Sequence, residues 1–267
     1  MKTISEGLVL VEVEGSSACF VLNRPQKKNA MTNEMLWTFH DSLQEAIADD
    51  RVRTILVRGE GPCFSSGRDL KEFTGEAMLQ DSSVDRCTEP FLRTLTLLLD
   101  SPKPTVAAVH GFALGGGQAL SLACDFVVAE RSAQFGNVEM AYGFPAAMNL
   151  VLLSKHLGRR LALEIAMTGE IYTAERYYEL GLINRLVEDG GLDEATRDFS
   201  SVLNAREPWA VRRTKEAFRA AEEATLSAGL HIGDQLNQLL QLGGQSQRFH
   251  SGSADVRGEL KKDLGED

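Results

Sequence analysis

Apolar and polar positions follow two different periods in the first part of the chain. Runs rich in β-branched residues at 8–13 and 18–23 are separated by a Gly-Ser-Ser segment at 15–17, which is typical of a β-hairpin. Residues 33–48 then carry apolar side chains at the spacing of an amphipathic helix. A strand at 54–57 follows. The pattern therefore predicts a strand–strand–helix unit followed by another strand.

Similar elements continue as far as residue 180, and proline or glycine marks several of their ends. The strand–strand–helix order indicates an α/β fold, although no sequence repeat is detectable between the units. We predict a short apolar strand between Pro104 and the glycines at 115–117, a strand at 125–129, and helices at 88–99, 119–124, 146–157, 160–167 and 174–180.

From about residue 192 the pattern becomes helical throughout. Helices are predicted at 192–204, 210–226 and 230–242, and two glycines at 243–244 mark a break. We therefore divide the chain into a core of residues 1–191 and a C-terminal helical region of residues 192–267. The apolar face of these helices fits either an intramolecular core or an interface between chains.

The composition excludes several classes of protein. With 38 acidic and 28 basic residues among 267, the formal net charge is −10, which argues against nucleic acid as the main partner. No apolar run reaches membrane-spanning length and acidic residues interrupt the N-terminal one, so we expect no membrane span, no signal peptide and a cytoplasmic location. The cysteines lack C-x-x-C spacing, so we expect neither a disulfide nor a metal site: Cys19, Cys63, Cys87 and Cys124.

Three consecutive glycines at 115–117 stand between a short apolar strand and an apolar helix. They leave the first backbone N–H groups of the helix without side chains that would keep a ligand away. The positive end of the helix dipole lies at the same place, so this turn can bind an anion or stabilise a developing negative charge. Close packing of the strand against the helix is the structural alternative.

A second group of small residues follows the strand at 54–57. Ser65, Ser66 and Gly67 precede the polar pair Arg68 and Asp69. Two strand ends without bulky side chains can direct two backbone N–H groups at one oxygen atom, which is the geometry of an oxyanion hole.

Five motifs occur in order between about residue 8 and about residue 218. They are Asn23-Arg24-Pro25 with Asn29-Ala30-Met31, the segment from Cys63 to Glu72, the glycine segment from Gly111 to Gly117, Phe135-Gly136-Asn137-Val138-Glu139, and the stretch from Thr168 to Ile183. Together they resemble the motifs of the enoyl-CoA hydratase/isomerase (crotonase) superfamily. The resemblance implies a crotonase-like spiral of ββα turns, with C-terminal helices that cover the active site and build a trimer or a dimer of trimers.

The same resemblance implies an enzyme that acts on an acyl-CoA thioester. The backbone N–H groups of Arg68 and Gly116 would stabilise an enolate, and Glu139 would act as the general acid/base. Coenzyme A is part of the substrate, and no separate cofactor is implied. We predict that the substrate-binding residues are Lys28, Ala30, Ser66, Gly67, Asp69, Leu70, Lys71, Gly115 and Tyr142. Lys28 and Lys71 are candidates for binding the CoA phosphates, and ordinary surface charge is the alternative for each of them.

One carboxylate of the hydratase pattern is absent. Hydratases of this family hold a water molecule between two glutamates, and the first of these positions is Ala119 here. Gln118 is adjacent, but one step along a helix turns a side chain by about 100°, so it should face elsewhere. The segment after Pro145 also lacks the glycines usual in hydratases. A lone glutamate resembles the Δ3,Δ2-enoyl-CoA isomerases, so we expect an isomerase or an atypical one-glutamate hydratase.

Other functions stay open at this point. A decarboxylase or a thioester hydrolase would use the same oxyanion hole, and a catalytically silent paralogue would only bind acyl-CoA. The presence of Glu139 argues against the silent paralogue. We interpret His110 as structural, whereas Tyr142 and Asn149 fit either hydrogen bonding in the pocket or packing.

Overall fold

The computed structural model describes residues 4, 6–74, 84–222 and 224–242. The chain divides into two compact units, Met1–Pro208 and Trp209–Asp267. The break predicted at 243–244 lies outside the described residues.

Nine strands in the described part of the first unit form two sheets. The larger sheet has the order β1-β2-β3-β4-β6-β9, in which only the β1–β2 pair is antiparallel. The smaller has the order β5-β7-β8. The predicted hairpin is thus confirmed as β1–β2. In chain order the strands are β1 (Val9–Glu14), β2 (Ser17–Leu22), β3 (Thr54–Gly59), β4 (Thr105–Val109), β5 (Phe112–Leu114), β6 (Phe126–Glu130), β7 (Gln134–Gly136), β8 (Ile171–Thr173) and β9 (Arg185–Val187).

The longer helices agree with the predicted ones to within a few residues at their ends. The helix predicted at 119–124 spans Gly116–Leu122, so two of the three glycines belong to its first turn, and the short helix Leu70–Thr74 was not predicted. The predicted helix at 33–48 is confirmed, and Thr32 caps it by accepting a hydrogen bond from the backbone N–H of Met35. In chain order the α-helices of the described residues are α1 (Asn33–Ala48), α2 (Leu70–Thr74), α3 (Val84–Asp100), α4 (Gly116–Leu122), α5 (Ala147–His156), α6 (Arg159–Thr168), α7 (Ala174–Glu179), α8 (Leu192–Asn204), α9 (Pro208–Glu222) and α10 (Leu226–Leu242).

The larger sheet has an apolar core on each face. Along β4, Ala107 and Val109 belong to the main cluster, which includes side chains of α1 and α3. Val106 and Ala108 belong to a second cluster with α8, where Phe199 packs at 5.1 Å from the ring of Phe126. Because both faces are covered, all five residues of β4 are buried. Because α8 packs on the sheet, it belongs to the first compact unit. This unit ends at Pro208, whereas we expected the core to end at residue 191.

The second unit consists of α9 and α10 in its described part. No residue of α9 is buried, and Phe218, Leu226 and Leu230 are each more than half exposed. No described helix of the chain is long and apolar enough to cross a membrane. Among the cysteines, Cys19, Cys63 and Cys124 are thiols, and the side chain of Cys87 lies outside the described residues.

Candidate active site

The two segments of small residues meet in the first unit. Residues 63–69 run between the 28–31 segment and β5 as an irregular strand, with parallel bridges at Met31–Arg68 and Ser65–Ala113. The backbone N–H of Ser65 donates to the Phe112 carbonyl, and that of Leu114 donates to the Ser65 carbonyl. This pairing brings the turn after Ser65 beside the glycine turn at 115–117.

The backbone nitrogens of Arg68 and Gly116 lie close together at this junction. The backbone N–H of Met31 donates to the Gly67 carbonyl, and the backbone N–H of Asp69 donates to the Met31 carbonyl. In such a parallel pairing the backbone N–H of the residue between them, Arg68, points away from Met31 and towards the glycine turn. A Cβ atom on Gly116 would lie 3.2 Å from the Arg68 nitrogen. A Cβ atom on Gly67, whose φ is +103°, would lie 3.0 Å from the Gly116 nitrogen. The two predicted donors, the backbone N–H groups of Arg68 and Gly116, are therefore neighbours. The φ of Gly67 and its close approach to the glycine turn require glycine at position 67, and a side chain at position 116 would be tight against Arg68.

The three glycines of the turn have different roles. Gly115 precedes the first residue of α4 with a φ of +52°, a conformation that favours glycine. Gly116 is that first residue, so its N–H has no acceptor within the helix. A Cβ atom on Gly117 would lie 2.6 Å from the Ser65 carbonyl oxygen, which shows close packing. The anion-site and packing interpretations thus apply to different glycines of one turn.

Glu139 lies on a 3₁₀ turn, Val138–Tyr142, that follows β7. Its carboxyl group contacts the glycine turn, since a Cβ atom on Gly115 would lie 3.0 Å from Oε1 and 3.3 Å from Oε2. Asn149 Nδ2 donates to Oε1 at 3.1 Å, whereas no described residue donates to Oε2, which is also buried. Burial raises the pKa of Glu139, and hydrogen bonds from its own backbone and from Asn149 only partly offset this. A raised pKa suits a carboxylate that both accepts and returns a proton.

These groups line one cavity of about 590 Å³. Most of the predicted site residues belong to its wall: Ala30, Ser66, Gly67, Arg68, Asp69, Leu70, Gly115, Gly116, Glu139 and Tyr142. Ala119 and Asn149 also line it, and the other lining residues are apolar: Phe91, Leu114, Val138, Phe144, Pro145, Ala147 and Met148. A mainly apolar wall with a few polar groups at one place is typical of a small-molecule site.

Two predicted binding residues are not part of this wall. Lys28 is exposed, and its Nζ lies 5.8 Å from the centre of the Phe112 ring. Lys71 is also exposed, and its backbone N–H donates to Asp69 at 3.2 Å. Neither lysine is among the residues that line the cavity.

The other carboxylate of the cavity wall is held in an ion pair. Arg24 Nη1 lies 3.0 Å from Asp69 Oδ2. Burial alone would raise the pKa of Asp69, but the hydrogen bonds from Arg24 and the Lys71 backbone outweigh it and leave this pKa below its ordinary value. A carboxylate with a lowered pKa in an ion pair is a poor proton acceptor, which leaves Glu139 as the candidate base.

The Arg68 side chain is largely buried, and Arg68 is one of the residues that line the cavity. Its guanidinium group donates to Asn33 Oδ1, lies 4.0 Å from Glu72 Oε2 and stands 5.3 Å from the Phe91 ring centre. Packing against an aromatic ring and a carboxylate stabilises a buried arginine. Its side chain thus shapes one wall of the cavity, separately from its backbone N–H.

Gln118 faces away from the cavity, as predicted, and belongs to a buried polar network that the sequence did not reveal. Its Nε2 donates to Asn137 Oδ1 at 3.0 Å and to Asn149 Oδ1 at 3.2 Å, and its Oε1 accepts from the Tyr177 hydroxyl at 2.7 Å. The only sequence signal was a set of polar residues within apolar segments. His110 bonds through Nε2 to the Gly61 carbonyl oxygen at 2.8 Å, in agreement with a structural role.

Comparisons with known proteins agree with this geometry. Residues 12–250 match the model of the family "Enoyl-CoA hydratase/isomerase". The 1,2-epoxyphenylacetyl-CoA isomerase of Escherichia coli is 32% identical over 249 residues, which cover 91% of this chain and 93% of the relative. The 2,3-dehydroadipyl-CoA hydratase of the same species is 33% identical over 223 residues, covering 82% and 84%.

Solved structures show the same fold. The crystal structure of an enoyl-CoA hydratase from Mycobacterium smegmatis superposes with a TM-score of 0.87 at 27% identity, covering 94% of this chain and 97% of the other. The α/β architecture is therefore that of the crotonase fold. This chain belongs to the enoyl-CoA hydratase/isomerase family, within the crotonase superfamily, and is an enzyme of that general type.

Proposed function

We propose that this enzyme isomerises the double bond of an enoyl-CoA thioester with Glu139 as its single acid/base. The carboxylate removes a proton from C2, the charge moves to the thioester oxygen as an enolate, and the same carboxyl group returns the proton to C4. No oxidant or further reactant is needed, because one proton moves and the double bond shifts by one position. Coenzyme A enters as part of the substrate, and no separate cofactor takes part.

The observation that carries this proposal is the contact between the Glu139 carboxyl group and the Gly115–Gly116 turn. The base and the candidate oxyanion donors thus line the same cavity. Donors placed in advance at the oxygen where charge develops are worth roughly 3 kcal/mol each in the barrier. A thioester carbonyl between the Arg68 and Gly116 amides would place C2 near Glu139.

The alanine at position 119 favours isomerisation over hydration. Ala119 lines the cavity and is buried, so no carboxylate stands at the place where the hydratase pattern has its first glutamate. Asp69 does not replace it, because Arg24 holds it in an ion pair. One-glutamate hydration is the second candidate, since Glu139 by itself can activate a water molecule at a lower rate.

The assembly and location belong to the same proposal. We expect a homotrimer or a dimer of trimers, because the second unit exposes large apolar side chains on α9 and α10. A cytoplasmic location and the absence of a nucleic-acid partner remain expectations from the composition.

The test compares two substrates on the purified protein. We expect 3-hexenoyl-CoA to be converted to the 2-enoyl isomer, followed by the absorbance of the conjugated thioester, and crotonyl-CoA to be hydrated slowly. Glu139→Gln should lower isomerisation by orders of magnitude while acyl-CoA affinity changes little, because the amide keeps the shape but accepts no proton. Glu164→Gln, the same change at an exposed position of α6, is the control and should leave turnover unchanged. Fast hydration with no isomerisation would overturn the proposal.

A further inference from the structure

A single amide nitrogen bonds to both parts of the candidate catalytic machinery. Asn149 Nδ2 donates to Glu139 Oε1 at 3.1 Å and to the Gly115 carbonyl oxygen at 2.9 Å. Both neighbours are acceptors, so only the NH₂ group of Asn149 can face them, and both of its hydrogens are used. Its Oδ1 accepts from Gln118 on the other side.

The bond to Gly115 acts on the candidate oxyanion donor through one peptide group. The carbonyl of Gly115 and the N–H of Gly116 belong to the same planar peptide unit, so fixing one fixes the direction of the other. A hydrogen bond to the carbonyl oxygen also polarises the unit and makes its N–H a stronger donor. Asn149 is thus placed to orient and strengthen the Gly116 donor without contacting the substrate oxygen.

The bond to Glu139 leaves the other carboxylate oxygen available. Oε1 is tied to Asn149, and Oε2 accepts no hydrogen bond from any described residue. A base needs one oxygen with an unused lone pair at a fixed place, and this arrangement supplies it.

The Asn149 amide is itself held by a directed series of hydrogen bonds. The Tyr177 hydroxyl donates to Gln118 Oε1, and Gln118 Nε2 donates to Asn149 Oδ1. Asn149 is 2% exposed, and both Gln118 and Tyr177 are fully buried. Because every member is buried and satisfied, the alternative orientation of the amide would place a carbonyl oxygen against two acceptors.

We infer that Asn149 is a positioning residue that couples the base to the oxyanion hole, holding Glu139 and the Gly115–Gly116 peptide in one fixed relation. This inference rests on the proposed function and assigns a role to a residue of the segment that departs from the hydratase pattern. Misplacement of a reacting group by about 1 Å can cost about 100-fold in rate, so loss of Asn149 should lower kcat by about that factor with little change in KM.

The first experiment measures the oxyanion hole without turnover. Hexanoyl-CoA labelled with ¹³C at the carbonyl, a saturated thioester that does not isomerise, is bound to the Glu139→Gln variant. Its carbonyl stretching frequency should fall on binding, because the hole polarises the bond. Adding Asn149→Leu should abolish most of this lowering, although the binding affinity stays similar. A bound carbonyl frequency that is the same with and without Asn149→Leu would overturn the inference.

The second experiment measures the base through its pH profile. A hydrogen bond to the ionised form lowers the pKa of a carboxyl group. Asn149→Leu removes such a bond from Glu139, so the acid limb of the kcat/KM profile should move upwards by about one pH unit in this variant. General destabilisation would scale the activity without moving this limb. Ser154→Ala on the same helix changes an exposed residue and should leave both readouts unchanged.

A second substitution keeps the test valid if the leucine variant fails to fold. Asn149→Asp preserves the shape and still accepts from Gln118, but it removes the NH₂ group. It should also lose the carbonyl shift, which is the deciding readout for this variant. Its acid limb should rise because a like charge now faces Glu139 in place of the donor. A native enzyme that neither shifts the carbonyl frequency nor turns over any enoyl thioester would instead refute the proposed function. A native enzyme that does both, with Asn149 variants that match it, would refute this inference alone.

Discussion

The hydroxyl group of Tyr177 donates a hydrogen bond to the side-chain oxygen of Gln118, 59 residues earlier in the chain. Tyr177 lies on α7, and its ring stacks on Phe135 with centroids 4.6 Å apart. Gln118 lies on α4, beside the glycine turn. The bond therefore connects α7 to Gln118, which in turn donates a hydrogen bond to Asn149 at the candidate active site.

Tyr177→Phe should destabilise the protein by about 1–3 kcal/mol, because it leaves a buried acceptor on Gln118 unsatisfied while the ring packing is kept. Urea denaturation measures the change in the free energy of unfolding. Tyr178→Phe is the matched control, since the adjacent tyrosine is 50% exposed and should tolerate the change. Equal stability of the two variants would show that this hydrogen bond contributes nothing.

Gly115→Ala should reduce turnover strongly, because the new Cβ atom would lie 3.0 Å from Glu139 Oε1 and would force the carboxyl group to move. The substitution also places alanine at a φ of +52°, which is strained in itself. Gly181→Ala separates the two effects, since Gly181 has a φ of +78° and a Cβ atom there would meet no other atom within 4 Å. We expect both variants to lose stability, but only Gly115→Ala to lower kcat as well, because only there does the new methyl group displace the base. Similar kcat values would show that the contact with Glu139 is not needed.

Much of the fold and of the site was predictable, because the signals involved are local. The bounds of α1 follow from the spacing of its apolar side chains. The glycine turn was recognisable because close backbone approach requires glycine whatever the rest of the fold does.

The elements that were missed depend on distant contacts. Strands β5, β7 and β8 are only three residues long, too short to show a period, and they form a sheet only because the chain brings them together. The hydrogen bond between Asn149 and Glu139 was also missed, because it too depends on how the chain folds. Ten residues separate these two side chains, and the 3₁₀ turn and the start of α5 that lie between them fix their approach.

Glu139→Gln should raise stability at neutral pH even as it removes activity. Burial raises the pKa of Glu139 in the folded state, so the folded protein binds this proton more tightly than the unfolded chain. The ionised form therefore costs free energy above the raised pKa, and the cost disappears below the unfolded pKa of about 4.3. Unfolding measured at pH 7 and near pH 4 should show an advantage of the glutamine variant at pH 7 alone. An equal or lower stability at pH 7 would contradict the raised pKa, and Glu164→Gln provides the exposed comparison.

The exposed apolar residues of the second unit predict self-association. Leu226 and Leu230 are 82% and 68% exposed in the single chain, which is unfavourable in water. Sedimentation at micromolar concentration should give particles of three or six chains. Leu230→Asp should dissociate them, whereas Gln235→Asp, which adds the same charge at an exposed polar position of α10, should not. A particle of one chain for the native protein would reject the trimer.

Ala119→Glu should convert the enzyme towards hydration. The side chain at 119 lines the same cavity as Glu139, so a glutamate there would supply the second carboxylate that holds and activates water in the hydratase pattern. We expect hydration of crotonyl-CoA to rise by at least about 10-fold, a modest part of what a positioned acid/base can give, because the segment after Pro145 still lacks its glycines. Ala119→Gln has the same length without an ionisable group and should show no gain. The new negative charge should also raise the pKa of Glu139, so the acid limb of the remaining isomerisation should move upwards. Fast hydration by the native enzyme, or equal rates for the glutamate and glutamine variants, would show that another group supplies the second role.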